Sequence, residues 1–196
     1  AVELLAAARL KPGTRLATAL FYGIKTDTQA LGREAAAADE AAYRLLFPSV
    51  DHRALAHIEN PRLPHYTYRM LNAALDGARR YGKVLVSAMG RLQGREGPAS
   101  AVDLLVRLQG TDCALAHGYW EGRQIFSVRS LRRGCEAWKL ARRAAGAGGS
   151  AGGHRLSAGG SLPVSSLKAA KRAGHQLERR FLVAARAGKK RGSSLV

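Results

Sequence analysis

Acidic side chains are scarce in this sequence, and they are almost absent from its last third. The whole chain has 32 Lys and Arg residues but only 14 Asp and Glu residues, which gives a formal net charge of +18. Residues 128–196 carry 16 of the basic residues and only 2 of the acidic ones. Such an imbalance favours a polyanionic ligand, such as nucleic acid, a phosphorylated small molecule or anionic lipid. A solvated basic face without a ligand is the alternative.

Cysteine is nearly absent as well. Cys113 and Cys135 stand apart, with no CxxC pair and no Cys/His cluster, so the sequence excludes a zinc ribbon and gives no reason to expect a disulfide framework. Two free thiols suit a reducing cytoplasm, where we expect the protein to reside.

Long apolar runs are missing too. The chain has no stretch of about 18 apolar residues, and its start lacks the basic and apolar regions of a signal peptide. We therefore expect a soluble protein with no membrane partner. The chain begins with Ala rather than Met, which suggests a piece of a longer protein.

A hydrophobic share of 46% is enough for folded cores, and the sequence divides into four segments. Residues 1–60 have the spacing of short amphipathic helices. Residues 61–81 form a proline linker and a connecting helix. The linker lies at Pro61 and Pro64, because prolines forbid regular structure at their positions, and the predicted helix ends at Tyr81. We predict a small mixed-sheet α/β domain over 82–163, and a basic helix with a frayed tail over 164–196.

The predicted α/β domain has a β-α-β-β-α order followed by a glycine-rich loop. Its elements are a strand over 83–89, a helix over 99–108, strands over 112–119 and 123–130, and a helix over 135–145. The turn at Glu121 and Gly122 is typical of a β-hairpin, with the glycine at positive φ.

The glycine-rich stretch is the most informative feature of the chain. Residues 148–160 read GGSAGGHRLSAGG, which places His154 and Arg155 among glycines. Glycines allow a backbone to approach a ligand closely, and histidine and arginine donate hydrogen bonds to phosphate oxygens. A flexible linker is the alternative, but linkers seldom contain a His-Arg-Leu sequence between apolar segments.

Two separated groups of motifs resemble the DHH-type phosphoesterases. The segments TALFYGIKTDT, AADEAAYRLLFP and IENPRLP look like the end of the DHH catalytic domain. The segments SVRS and GGSAGGHRLSAGG look like the DHH-associated C-terminal domain, with a Gly-Gly-Gly-His signature altered to Ala-Gly-Gly-His. The relatives in question are RecJ-like phosphoesterases, including the oligoribonuclease/PAP-phosphatase group.

The resemblance implies metal-dependent phosphoester hydrolysis, with divalent ions, usually Mn²⁺, held by several motifs of the first domain. Carried over by motif, Asp27 of KTDT is a metal ligand. The residues that the resemblance assigns to substrate or phosphate are Ser127, Arg129, Gly152, Gly153, His154 and Arg155. The substrate would be a short single-stranded nucleic acid or a nucleotide phosphate.

The sequence departs from the family in one important way. The earlier metal motifs, including Asp-His-His, are absent, and the pair Asp51-His52 follows Asp27 rather than preceding it. We therefore expect the chain to be the C-terminal part of a phosphoesterase, inactive alone because its metal needs ligands from another part. A non-catalytic nucleic-acid-binding module and an ordinary basic α/β protein are the alternatives.

The basic helix near the C-terminus has two interpretations. It either extends the path of a nucleic acid, or it packs an apolar face on the small domain and leaves a solvated basic back. We favour packing for the apolar face. Its cations are Lys168, Lys171, Arg172, Arg179, Arg180 and Arg186.

Overall fold

The computed structural model describes residues 1–32, 35–187 and 192–196. The chain forms two compact units, residues 1–62 and 63–196, which are treated separately below. The division falls between Pro61 and Pro64. Among the described residues, no helix is long and apolar enough to cross a bilayer.

The first unit is helical. Its helices are α1 (Val2–Ala7), α2 (Thr14–Asp27), α3 (Ala37–Leu46) and α4 (His52–Glu59), with a 3-10 turn at Phe47–Ser49. Phe21 and Leu46 are buried at its centre because apolar residues recur at helical spacing. Asp51 begins α4, since its carboxylate accepts hydrogen bonds from two amides of the first turn at 3.0 and 2.9 Å.

The second unit is a mixed α/β fold, as the sequence predicts. Its helices are α5 (His65–Asp76), α6 (Gly97–Leu105), α7 (Ala137–Ala145) and α8 (Leu167–Ala185). Its strands are β1 (Ala78–Tyr81), β2 (Val84–Arg91), β3 (Cys113–Trp120), β4 (Arg123–Ser130), β5 (Ser150–Gly153), β6 (Ser157–Pro163) and β7 (Ser193–Ser194).

The described strands form one sheet in the order β5-β6-β4-β3-β2-β1-β7. Only β2 and β3 run parallel, and α6 connects them; the other pairs are antiparallel. Glu121 and Gly122 join β3 to β4 with φ values of 43° and 75°. This geometry confirms the predicted hairpin turn.

Helices cover the sheet on both faces. On one face, α7 and α8 bury Phe126, Leu177 and Phe181. On the other face, α6 packs against β3 and β4, and Val102 of α6 is buried in the same core as Leu85 of β2. The six residues Cys113 to Gly118 are therefore all buried, which explains why all but His117 are apolar or small.

The predicted connecting helix is too long. Helix α5 ends at Asp76, and residues 78–81 form strand β1 instead of a last helical turn. Gly77 explains the change, because a side chain at this position would collide with the carbonyl of Ala88 on β2. The glycine lets the chain leave the helix and pair with β2 at once.

The glycine-rich segment is not a loop throughout, contrary to the sequence prediction. Residues 150–153 and 157–163 form the hairpin β5–β6, which pairs with β4. A Cβ at Gly160 would lie 2.7 Å from the Phe126 ring and would collide with the carbonyl of Ser150. The glycine is therefore required for close strand packing, a role that composition does not distinguish from flexibility.

Helix α8 packs its apolar face on the sheet, as expected, and Ser166 caps its start by accepting a hydrogen bond from the amide of Ala169 at 3.2 Å. The predicted frayed tail falls partly on residues 188–191, which lie outside the described residues. Beyond them, β7 pairs with β1, so the last residues described are not frayed.

Cys113 provides a test of this core. It is fully buried at the start of β3, and burial, with a further contribution from Cys135, raises the pKa of its thiol to about 12. Because the thiol is both inaccessible and neutral at pH 8, we expect iodoacetamide to spare Cys113 in the folded chain and to label it after denaturation. Peptide mass spectrometry measures both. Rapid labelling of Cys113 in the folded chain would contradict its position in the core.

Candidate phosphate-binding groove

Three neighbouring strands place small residues in one row. Ser127 of β4 pairs with Gly159 of β6, and Gly159 pairs with Gly152 of β5. Directly paired residues of antiparallel strands project to the same face of a sheet. The row therefore forms a flat floor with one hydroxyl group and two glycines.

The floor is the base of an open groove. Helix α7 packs against β5 and β6 on the opposite face, whereas α6 packs against β3 and β4. The groove beside α6 has a volume of about 440 Å³ and is walled by Arg95, Pro98 and Ala99. The sheet is therefore exposed to a ligand where its small residues lie.

Hydroxyl groups surround this floor. Ser127 is only 6% exposed, and its hydroxyl contacts the carbonyl of Ala158 at 3.3 Å. Ser150 and Ser161 line the groove on either side of the glycines. Arg123 donates from Nε and Nη2 to the Ser161 hydroxyl at 3.0 and 2.7 Å, which fixes that hydroxyl beside the groove.

Arg129 lies next to the groove but is already engaged. Its guanidinium binds both carboxylate oxygens of Asp103, at 2.6 and 3.0 Å, and donates to the Ser127 hydroxyl at 3.2 Å. The side chain of Asp103 is 58% exposed and that of Arg129 is 21% exposed, so solvent partly screens this bidentate pair. Sequence reasoning did not predict Asp103 as its partner.

Packing requires glycine at position 153 but not at position 152. Gly153 has a φ of 145°, and a Cβ there would collide with Ser157 and Ala158, so the fold itself requires glycine. A Cβ at Gly152 would meet nothing within 4 Å. Packing therefore does not explain Gly152, and its open side faces the groove.

His154 and Arg155 lie in the connection between β5 and β6. Their carbonyls accept hydrogen bonds from the first amides of α7, those of Trp138 at 3.3 Å and Ala137 at 2.7 Å. These bonds satisfy amides that a helix start leaves without partners, and they fix the connection on α7. Both side chains are exposed, and neither lines the 440 Å³ groove.

The charge of Arg155 acts on a neighbouring carboxylate. A hydrogen bond from Lys139 holds the pKa of the half-buried Glu136 carboxyl below its usual value, and Coulombic attraction to Lys139 and Arg155 acts in the same direction. Arg155 therefore contacts the start of α7 through its backbone carbonyl, and its charge acts on Glu136 there.

Asp27 lies in the first unit, at the last position of α2, where its side chain is exposed. Within the described parts of the chain, no three Asp, Glu, His or Cys side chains lie close enough to hold a metal ion. One carboxylate does not make a divalent-metal site, so the donors described here do not fit a resident metal by themselves.

The sequence analysis missed residues in the groove and beside it. Arg123 shares the two-residue period of Ser127 and Arg129 on β4, a signal that would have placed all three on one face. Arg95 precedes α6, and no sequence pattern indicates that it reaches the groove.

One curated protein is similar to this chain in sequence. No protein-family model matches the chain. An uncharacterized protein of Methanocaldococcus jannaschii is 28% identical over 161 residues, which cover 82% of this chain and 33% of that protein. The chain thus spans about a third of the length of this curated relative.

Two solved structures match this chain to different degrees. An exopolyphosphatase-related protein from Bacteroides fragilis superposes with a TM-score of 0.65 at 14% identity, covering 88% of this chain and 52% of that one. RecJ from Thermus thermophilus in complex with Mn²⁺ covers 88% of this chain and 23% of its own, with a TM-score of 0.46 and 20% identity. The first of these establishes that the chain has the fold of the exopolyphosphatase-related protein.

Two glycine substitutions test the construction of the floor. We expect Gly160→Ala to lower the free energy of unfolding by about 2 kcal/mol, because the new methyl group meets Phe126 and Ser150. Gly152→Ala should change it by less than about 0.5 kcal/mol, since that position is open. Urea unfolding of both variants measures the difference. Equal destabilisation would show that the strands do not pack as described.

Proposed function

We propose that this chain is the C-terminal part of a metal-dependent phosphoesterase that hydrolyses short oligonucleotides or nucleotide phosphates. This part mainly binds the substrate, and the groove on β4, β6 and β5 holds a phosphate group. The observation that carries the proposal is the open glycine position Gly152 in a serine-lined groove beside Arg129. The DHH-like motifs and the fold shared with an exopolyphosphatase-related protein support it.

The chemistry of the groove suits a phosphate. Hydroxyl groups donate to phosphate oxygens, and an arginine binds two of them at once. Arg129 would exchange Asp103 for the ligand, while its contact with Ser127 keeps the guanidinium at the groove. The open face of Gly152 allows a phosphate to approach the backbone more closely than any side chain would permit.

His154, Arg155 and Gly153 complete the proposed site at its edge. Gly153 ends β5, and the bonds from α7 hold the following two residues in place. We assign His154 and Arg155 to the part of the ligand that extends beyond the groove, because their exposed side chains lie outside its lining.

In this proposal, the metal ion is bound only in the longer protein. A divalent ion, Mn²⁺ by the family resemblance, would polarise the scissile phosphate and activate water. Asp27 would supply one ligand, and the others would come from segments outside this sequence. A cytoplasmic location, inferred from the two cysteines, is part of the same proposal.

A second candidate function is a non-catalytic nucleic-acid-binding module. The observation that favours it is the lack of a metal-binding cluster among the residues described. Both functions predict that the chain binds nucleic acid. An assay of the longer natural protein for Mn²⁺-dependent hydrolysis distinguishes them.

The chain alone should not catalyse. We expect the purified 196-residue protein with Mn²⁺ to leave a 5′-labelled dinucleotide and a 5′-labelled 12-nucleotide strand intact, because the described residues contain no metal cluster. Denaturing gel electrophoresis of the products measures this. Hydrolysis that co-purifies with the chain and disappears in Asp27→Asn would show that the metal site is complete here.

Blocking the groove should weaken binding without unfolding the protein. We expect Gly152→Val to weaken binding of a 5′-phosphorylated dinucleotide at least about tenfold, because its side chain fills the space assigned to phosphate. Gly148→Val is the matched control, since a Cβ at Gly148 also meets nothing within 4 Å but lies outside the groove lining. Calorimetric titration measures both affinities. If both variants bind like the natural sequence, phosphate does not occupy this groove.

A further inference from the structure

A polar cavity lies on the face of the sheet opposite the groove. It has a volume of about 160 Å³ and is bounded by α8, the last residues of β2 and β3 and the start of β4. Helix α8 packs on this face together with α7. We call it the α8 cavity. The charged, imidazole and amide side chains of its lining are Arg91, His117, Gln124, Lys171, His175 and Glu178.

A buried histidine is at the centre of this lining. His117 of β3 is 4% exposed. Its Nε2 lies 2.8 Å from Oε1 of Glu178, and its Nδ1 lies 2.6 Å from the amide nitrogen of Gln124. An ionised carboxylate only accepts hydrogen bonds, so Nε2 donates to Glu178, and Nδ1 of the neutral ring accepts from Gln124. Both ring nitrogens are therefore satisfied, and the Glu178 carboxylate is held in place.

The fold accommodates this polar group at the expense of apolar packing. Position 117 shares a face of β3 with Leu115, which packs in the apolar core beside α8. A Cβ at Gly174 of α8 would lie 2.9 Å from Cε1 of His117 and 3.3 Å from Nε2 of Gln124. Glycine inside a helix is less favourable than alanine, and burying a carboxylate carries a desolvation cost that apolar neighbours avoid. Stability alone therefore does not explain the pair of His117 and Glu178.

Glu178 has a second oxygen available to a ligand. Oε1 accepts from His117, whereas Oε2 lies 3.9 Å from Nδ1 of the exposed His175, too far for a hydrogen bond. Within the described parts of the chain, no hydrogen bond reaches Oε2. The side chain is 19% exposed and lines the cavity. A hydrogen-bond donor in the cavity, above all a cationic one, would therefore find a fixed acceptor.

Two cations line one end of the α8 cavity. The amide of Val164 donates to the carbonyl of Gly122 at 2.8 Å, so α8 begins beside the end of β3 and runs back along it. Arg91 pairs with Tyr119 near this end of β3, and Lys171 lies in the second turn of α8. Both cations therefore lie at the end of the cavity where α8 starts.

Glu178 lines the opposite end. It follows Lys171 on the same face of α8 after two helical turns, a rise of about 10 Å along the axis. Arg91 and Lys171 are both exposed, and no carboxylate of the residues described pairs with either of them. The cavity thus separates two cations without a carboxylate partner from one carboxylate oxygen without a donor.

Strand β2 is irregular beside this cavity. Its pairing with β3 shifts between Ala88 and Arg91, and Gly90 within the shift has a φ of 69°. In a regular strand Ala88 and Gly90 would share one face and Arg91 would point to the other. All three residues line the cavity instead. Bulges redirect side chains in this way and are common beside binding sites.

We propose that the α8 cavity binds a small zwitterion whose anionic and cationic groups are several bonds apart, as in basic and ω-amino acids. Its carboxylate would bind Arg91 and Lys171, and its ammonium group would donate to Oε2 of Glu178. Charge complementarity selects this class, because a dicarboxylate would bring a like charge to Glu178 and a diamine would bring one to the two cations. A volume of about 160 Å³ restricts the ligand to a small molecule. The site is separate from the phosphate groove and does not rest on the proposed function.

The experiment compares four six-carbon probes that differ in their end groups. They are 6-aminohexanoate, adipate, hexanoate and hexylamine, and each is titrated into the 196-residue protein at low salt while amide chemical shifts are recorded. We expect 6-aminohexanoate to produce saturable changes at Gly90 and His117 and to bind at least about tenfold more tightly than the other three. If adipate, hexanoate or hexylamine binds as tightly, or if none of the four probes changes these amides, the proposal is wrong.

Two variants with matched controls test the ends of the cavity. Glu178→Gln keeps an acceptor for His117 and should weaken 6-aminohexanoate binding at least about tenfold, whereas Glu121→Gln, an exposed position outside the lining, should stay within about twofold of the natural affinity. Lys171→Gln should also weaken binding, and Lys168→Gln on the same helix should not. Thermal unfolding confirms that each variant is folded.

The controls also decide how a loss of affinity is interpreted. Equal losses in Lys171→Gln and Lys168→Gln would overturn the proposal, because net charge would then explain binding. Unchanged affinity in both Glu178→Gln and Lys171→Gln would place the probe outside the cavity and overturn it as well. Each of these results leaves the phosphate groove untouched, since the dinucleotide titration of Gly152→Val tests that site separately.

Discussion

The close approach of the β5–β6 hairpin to β4 is the constraint on which the second unit depends. Gly160 lies where any side chain would meet the Phe126 ring and the carbonyl of Ser150. Because three strands are joined this tightly, one face of the sheet packs on α7 and the other remains a shallow floor of small residues. A core of buried aromatic and aliphatic groups thus supports a groove whose floor consists of glycines and serines.

The connection of the same hairpin carries the side chains of His154 and Arg155. The carbonyls of His154 and Arg155 bind the first amides of α7, so this helix start is satisfied by the connection that carries the two side chains. Helix α7 in turn packs against α8 on the face of the sheet opposite the groove. Backbone hydrogen bonds therefore fix the connection that carries His154 and Arg155.

The sequence predicted much of this fold but less of the site. Strands β3 and β4 and their turn follow from apolar runs and a glycine, and the mixed α/β class is confirmed. The hairpin β5–β6 escaped prediction because glycine has low strand propensity, and only pairing with β4 reveals its role. Arg95 lines the groove and Asp103 pairs with Arg129 through tertiary contacts, which one sequence does not disclose. The roles of Ser127, Arg129, Gly152, Gly153, His154 and Arg155 stay predictions, as does that of Asp27.

The central claim is that phosphate binds on the floor formed by β4, β6 and β5. Backbone amide chemical shifts, followed during titration with a 5′-phosphorylated dinucleotide, test it most directly. The account predicts that the largest changes occur at Ser127, Gly152 and Gly159, with smaller ones at His154. Changes confined to the first unit or to the exposed face of α8, with these four residues unaffected, would contradict it.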